Sequence, residues 1–329
     1  RTRAVPLGAS LALAIALIVF QKPLSARTME SLLYKATAKD NPPLARLVEN
    51  RDGIIAVSPS GIVYGGGAYD GRFNIDLVHD TNGILRPYGL SFYSPNPRDV
   101  LMIGLSSGSW GQVIANNPYV DHLTIIEINP GYTQLIRERR EVSSLLVNPK
   151  VQIVIDDGRR WLKQHPGLRF DAIIANTSIN YRSNAANVLS MEFDRLAQAH
   201  LKPDGVYFFN ATDSKRVERT GCKSFKYGYR VFNHMLVSDV PFDLNVDRWR
   251  KTLLAYTIDG NPALHMDRPT DVAVLRRALN MATGANSNSL GADKRQMESC
   301  SSILSRTRDL QVITDDNMGT EWRYIFGLE

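Results

Sequence analysis

An apolar run, Val100-Leu-Met-Ile103, ends in Gly104-Leu-Ser-Ser-Gly108-Ser-Trp-Gly111. A second, Leu123-Thr-Ile-Ile126, ends in the acid Glu127, and a third, Val151-Gln-Ile-Val-Ile155, ends in Asp156-Asp157-Gly158. Strands that each close on a glycine turn or an acid describe the ligand edge of an open α/β sheet, because ligands sit at the carboxyl ends of such strands. Glu127 follows Gly104 at about the spacing, roughly 20 residues, at which a carboxylate meets the two hydroxyls of a ribose. One carboxylate accepts from both hydroxyls at once. The pattern therefore points to a nucleoside. The glycine turn alone says less, since it reads G-x-S-x-G. That spelling also fits a nucleophile elbow with Ser106 as nucleophile, which needs an acid and then a His downstream. His200 and His234 could be proposed as that partner, but nothing else supports them.

Composition narrows the class. The chain has 329 residues, 43% apolar and 22% charged, as a globular protein of one large or two smaller domains does. A net charge of +6 favours anionic surroundings, but the Lys and Arg are dispersed and no basic run is interleaved with aromatics, so nucleic acid is not an expected partner. Two cysteines, Cys222 and Cys300, imply no disulfide framework and suit a reducing compartment. No Cys/His ligand spacing occurs, so no metal is expected.

The uncharged run Leu7–Phe20 falls short of the roughly 20 residues that span a bilayer. With Arg1 and Arg3 before it and Leu24-Ser-Ala26 after it, it has the anatomy of a signal peptide. A nucleoside ligand fits poorly with export, and the favoured reading is the end of a transmembrane or anchor segment over 1–26. Lys22, Arg27, Lys35 and Lys39 then place the rest on the cytoplasmic side. Residues 27–50 read as a helical connector broken by Asn41-Pro-Pro43, and 51–98 as a small antiparallel β-hairpin cap with turns at Ser58-Pro-Ser-Gly61 and Gly65-Gly-Gly67. Over 99–258 strands and helices alternate in the βαβ manner. Helices are expected at Ser109–Asn117, Pro130–Arg140, Gly158–Gln164, Asn187–Ala199 and 214–235. Strands are expected at Phe170–Ala175 and Val206–Phe209, and near His234–Val237 and Thr252–Tyr256. The C-terminal extension, 259–329, holds one expected helix at Asp271–Leu279.

The cap, the glycine turn, the acid after the second strand and Asp-Asp-Gly after the third together resemble spermidine synthase and its relatives, the polyamine aminopropyltransferases. The anchor and Thr314-Asp-Asp-Asn317 resemble the membrane-attached bacterial branch in particular, which implies an inner-membrane location. The resemblance covers roughly residues 50–258. It implies a Rossmann-like class I S-adenosylmethionine-binding sheet of seven mostly parallel strands, here behind a hairpin cap and a short apolar N-terminal helix. It implies S-adenosylmethionine or its decarboxylated form as cofactor, a small amine as acceptor, and a homodimer as the assembly to consider. Gly104, Ser106, Ser107, Gly108 and Gly158 would then border the cofactor, Glu127 would hold the ribose, and Asp157, beside Asp156, would accept from the adenine amino group. As a residue reading, Asp156 and Asp157 are equally helix N-caps.

The departures from the family matter as much. The aspartate that the family keeps in the glycine turn falls on Ser107, and its catalytic aspartate after the fourth strand falls on Asn176, whose amide has no useful basicity. A polar run follows: Asn176, Thr177, Asn180, Tyr181, Arg182, Asn184 and Asn187. Tyr181 and Asn176 are catalytic candidates and Arg182 a substrate contact. From the cap, Asp70, Asn74, His79, Asp80 and Tyr88 face the same cleft, with Asp80 as the surviving candidate base. Three functions follow: aminopropyl transfer, methyl transfer on the same fold, and nucleoside sensing without catalysis.

Overall fold

The structure is a computed structural model that describes residues 4–37, 40–176, 186–282, 297–318 and 326–328. The chain divides into two compact units, Arg1–Tyr69 and Asp70–Glu329. The first unit opens with one helix, α1 (Ala4–Tyr34), which contains Pro23 and runs through the expected boundary at residue 26. Among the described residues no helix is long and apolar enough to cross a membrane. The polar residues from Gln21 onward dilute the apolar run, which is itself too short to span a bilayer. The connector also holds a strand that the sequence reading missed. Pro42 and Pro43 stop helix formation, and β1 (Arg46–Asn50) pairs antiparallel with β2 (Gly53–Val57), Leu47 opposite Ala56. β3 (Ile62–Gly65) pairs with β2, and β4 (Ala68–Arg72) completes a four-stranded order β1-β2-β3-β4.

The second unit begins at Asp70, within β4, and continues with the short helices α2 (Leu85–Tyr88) and α3 (Leu90–Tyr93). It then alternates β5 (Asp99–Ile103), α4 (Ser109–Ala115), β6 (His122–Glu127), α5 (Gly131–Arg137), β7 (Val151–Ile155), α6 (Gly158–Gln164), β8 (Phe170–Ala175), α7 (Met191–Ala199) and β9 (Leu201–Asn210). After α8 (Lys215–Ser224) come β10 (Tyr227–Val231), β11 (His234–Ser238) and α9 (Val246–Ala255). A two-residue ribbon, β12 (Thr257–Ile258) with β13 (Asn261–Pro262), leads to α10 (Pro269–Ala282), β14 (Glu298–Ser299) and α11 (Cys300–Arg306).

The main sheet has the order β14-β10-β11-β9-β8-β5-β6-β7. β9, β8, β5, β6 and β7 are mutually parallel. β11 runs against both β9 and β10, so β10 points with the parallel strands. This is the expected mostly parallel α/β sheet, with the short β14 as an added edge strand. Two segments differ from expectation. The region 214–235 is not one helix: Ser214 caps α8 by accepting from Val217 N, and the alternating Tyr-Gly-Tyr-Arg-Val pairs as a hairpin with β11. Thr252–Tyr256 is not a strand. Asn245 caps α9 by accepting from Arg248 N at 2.8 Å, and Trp249, Thr252 and Leu253 are buried at i, i+3 and i+4. A short apolar run at a helix end reads like a strand unless its upstream cap is seen.

One face of the sheet packs Leu101, Ile103, Ile173, Ala175, Tyr207 and Phe209 against Trp161, Leu162, Phe193 and Val217 of α6–α8. On the other, Phe208 stacks on Tyr93 at 5.4 Å and Trp110 at 6.3 Å between ring centroids. Each fully buried Leu, Ile or Phe contributes about 1.5–3 kcal/mol, so this two-sided core holds the strand ends rigidly. The C-terminal extension is part of the unit. Arg159 Nη1 donates to Asp315 at 2.8 Å, and Ser190 Oγ donates to the same carboxylate at 2.7 Å. Contrary to the reading of the cysteines, Cys222 of α8 and Cys300 of α11 are joined in a disulfide. A count of two thiols, far apart in sequence, gives no sign that the fold brings them together.

Behind the core one acid is out of place. Asp194 of α7 is 1% exposed, and among the described residues neither of its carboxylate oxygens has a partner at hydrogen-bond distance. The nearby Ser224 hydroxyl donates instead to the Thr220 carbonyl at 2.9 Å. Burial pushes the Asp194 carboxyl up to about 8; the nearby Ser224 hydroxyl opposes the rise and the charge of Glu192 adds to it.

Candidate functional site

The structure brings the three strand ends together. Gly104 N donates to the Ile126 carbonyl (2.9 Å), Asp156 N to the Glu127 carbonyl (3.0 Å), and Asn176 N to the Ile103 carbonyl (3.1 Å). Gly104, Glu127, Asp156 and Asn176 therefore share one edge of the sheet. Gly104 has φ +91°, and a Cβ there would lie 3.1 Å from the Asn176 carbonyl oxygen. Gly108 has φ +76° and presses on Ile136. Only glycine combines that backbone with that approach. Gly158 has a third reason: a Cβ would meet Ile103 Cγ2 at 2.7 Å, so it lets α6 close onto β5.

Glu127 is buried at 4% exposure and faces the turn. Its Oε2 accepts from Leu105 N at 2.7 Å and its Oε1 from Asn129 N at 2.8 Å. Each carboxylate oxygen has a second lone pair, so the geometry fits a pair of vicinal ribose hydroxyls. Burial raises its carboxyl to about 7, against the pull of those N–H donors; the charge of Asp70 adds to the rise.

The serines of the turn stitch it to the segment that follows Tyr69. Ser106, at φ +49°, donates its hydroxyl to the Asp70 carbonyl. Ser107 Oγ donates to Ser109 Oγ at 3.1 Å, and Ser109 Oγ donates to the Arg72 carbonyl at 2.9 Å. Asn74 N donates back to Ser109 Oγ at 3.1 Å. Asp70, half-buried, accepts on its carboxylate from the hydroxyl of Tyr132, in the first turn of α5 just beyond Glu127. Nothing local in the sequence marks Tyr132 or Ser109 for this.

Other candidates have structural tasks. Asp157 caps α6 by accepting from Arg160 N at 2.8 Å, and Asp156 accepts from Arg160 Nε at 2.6 Å. Asp80 is not placed as a base. Its carboxylate accepts from the backbone N–H of Asn82 (3.0 Å), Ile84 (2.8 Å) and Leu85 (3.2 Å), which fixes the entry to α2. Tyr88 is not a substrate contact: it is 1% exposed, donates to the Ile75 carbonyl at 3.0 Å and packs edge-on against Tyr256. Asn74 ties down its own loop through the His79 carbonyl (2.8 Å). His79 pairs with Asp76 at 2.8 Å and lines a polar cleft with Asp259, His265 and Arg268. That cleft includes no residue of the glycine turn. Tyr181 and Arg182 lie outside the described residues. No group of His, Cys, Asp and Glu suited to a metal occurs among the described residues.

Residues 88–236 match the model of the spermine/spermidine synthase domain. The chain is similar to a polyamine aminopropyltransferase of Mycobacterium tuberculosis, 30% identical over 122 residues, 36% of this chain and 23% of that protein. It is also similar to one of Moorella thermoacetica, 30% identical over 133 residues, 38% of this chain and 46% of that protein. The matches thus span less than half the length of these relatives. Among solved structures, the chain resembles a spermidine synthase in complex with the transition-state analogue AdoDATO, with TM-score 0.52, 16% identity, and 74% and 88% of the two chains covered. It also resembles the Thermotoga maritima spermidine synthase, with TM-score 0.50, 15% identity, and 72% and 87% covered. The class is therefore plain: an α/β fold of the spermidine synthase kind, with a mostly parallel central sheet. More particularly, the domain match begins in α2 and ends in β11, and so takes in the glycine turn, Glu127 and Asn176.

Proposed function

We propose that this chain binds an adenosyl sulfonium donor, decarboxylated S-adenosylmethionine, and transfers its aminopropyl group to a small amine. The observation that carries this reading is Glu127, buried at the strand end and directed at the glycine turn within the matched domain. The donor supplies a neutral thioether leaving group. The chain's residues then need only orient the acceptor lone pair in line and exclude water. Glu127 fixes the ribose, Gly104 lets the backbone approach, and Asn176 sits at the mouth between β5 and β8.

Asn176 orients an acceptor through its amide but takes no proton from it. An acceptor amine that arrives uncharged suits this site better than a polyamine, which arrives protonated. The same residue supports a second reading, nucleoside binding without transfer. The test is product analysis. The protein, the decarboxylated donor and a panel of amines are incubated, and release of the thioether nucleoside is followed. Weak or absent transfer to putrescine is expected from the unmodified protein. Asn176→Asp should raise it about 10²–10⁴-fold where proton removal limits the rate. Robust spermidine formation without the change would contradict this view of Asn176. Nucleoside binding with no release for any amine, in either protein, would favour the second reading.

A further inference from the structure

The glycine turn lacks a carboxylate at Ser107, yet the donor proposed above carries a positive sulfonium and a terminal ammonium. The chain brings an acid to that place from elsewhere. The Asp70 carbonyl accepts from Ser106 Oγ, and a Cβ on the next residue, Gly71, would lie 2.8 Å from Ser106 Oγ and 3.4 Å from Ser107 Oγ. Residues 70–71 are thus pressed onto the two serines. The Asp70 carboxylate is held by the hydroxyl of Tyr132, a residue 3% exposed, so its direction is set from the core. It is also near enough to Glu127 to disfavour that residue's charge. Two neighbouring acids, one buried and one half-buried, repel each other unless a cation lies between them.

The geometry points to Asp70 as the residue that faces the donor's positive group and sets preference for the decarboxylated donor over S-adenosylmethionine. This rests on the donor site proposed above. The physical basis is a sign rule. An ammonium near Asp70 and Glu127 is attracted, whereas the carboxylate that S-adenosylmethionine adds would face like charge. Tyr132 is a positioning residue, acting through Asp70.

The test is equilibrium titration of the full chain with three ligands: the decarboxylated donor, S-adenosylmethionine, and 5′-methylthioadenosine, a nucleoside thioether with neither cation nor carboxylate. The unmodified protein should prefer the decarboxylated donor at least tenfold. Asp70→Asn should bring that ratio near one while leaving 5′-methylthioadenosine affinity within about twofold. Tyr132→Phe, which keeps the ring in the core, should lower the ratio about threefold and provides the reading if Asp70→Asn does not fold. A ratio unchanged in these variants, with 5′-methylthioadenosine still bound, would overturn the assignment of Asp70 alone. Failure of the unmodified protein to bind 5′-methylthioadenosine would overturn the nucleoside site and this assignment with it.

Discussion

Asp194→Asn should stabilise the sheet unit by several kcal/mol at pH 8 and remove Asp194's share of the pH dependence of unfolding between pH 4 and 8, leaving that of Glu127, whose carboxyl burial raises to about 7. In the unfolded chain the Asp194 carboxyl ionises near 4, whereas in the fold burial holds it protonated up to about 8. A folded value raised this way gives a contribution fully present below the unfolded value. It is lost as pH rises through the window and is gone above about 8. The gap between about 4 unfolded and about 8 folded, at about 1.36 kcal/mol for each tenfold change in proton affinity, sets an upper scale near 5 kcal/mol. Asp194 also lies in the first turn of α7, where the helix dipole favours an anion by only about 0.3–1 kcal/mol, so desolvation wins. Urea unfolding of both proteins at pH 5 and pH 8 checks this. Parallel losses of stability in the two proteins would show that the slope comes from other groups.

Reduction of the Cys222–Cys300 bond should lower stability by about 4 kcal/mol. The bond closes a loop across a sequence separation of 78 residues, and a loop of that size removes roughly this much denatured-state freedom. It also holds α11 against α8, beside Arg306, which bridges Glu218 and Glu298. Denaturant midpoints with and without a reductant provide the measurement. The double variant Cys222→Ser with Cys300→Ser should match the reduced protein and ignore the reductant. Equal midpoints for the oxidised and reduced protein would contradict the expectation.

The parts of the fold that were legible in the sequence are those with local causes. β5, β6 and β7 announce themselves as apolar runs closed by a turn or an acid, because a buried parallel strand must be apolar and its ligand end must not. The four glycine and acid positions Gly104, Gly108, Glu127 and Gly158 follow from the same logic, and the structure gives each a geometric reason. Asp80 and Asp157 show where such reading stops. A carboxylate near a helix start serves equally as cap, base or ligand contact, and only the N–H groups around it decide. The Asp70–Tyr132 contact and the Cys222–Cys300 bond join residues that no local pattern relates. The end of α9, over Thr252–Tyr256, reads as a strand because its last turn, Leu253-Leu254-Ala255, carries no polar punctuation, while its cap lies eight residues upstream of Leu253 at Asn245.

The most direct test of the account is calorimetric titration of the decarboxylated donor into the unmodified protein and into Glu127→Ala. At pH 8, above the value of about 7 to which burial raises its carboxyl, Glu127 should accept two hydroxyl hydrogen bonds from the ribose, and bonds to a charged acceptor are worth about 1.5–3 kcal/mol each. Saturable binding by the unmodified protein, weakened at least tenfold in a folded Glu127→Ala, is the predicted result. Equal affinity in the two proteins, or no binding by the unmodified one, would contradict the placement of a nucleoside at this edge of the sheet.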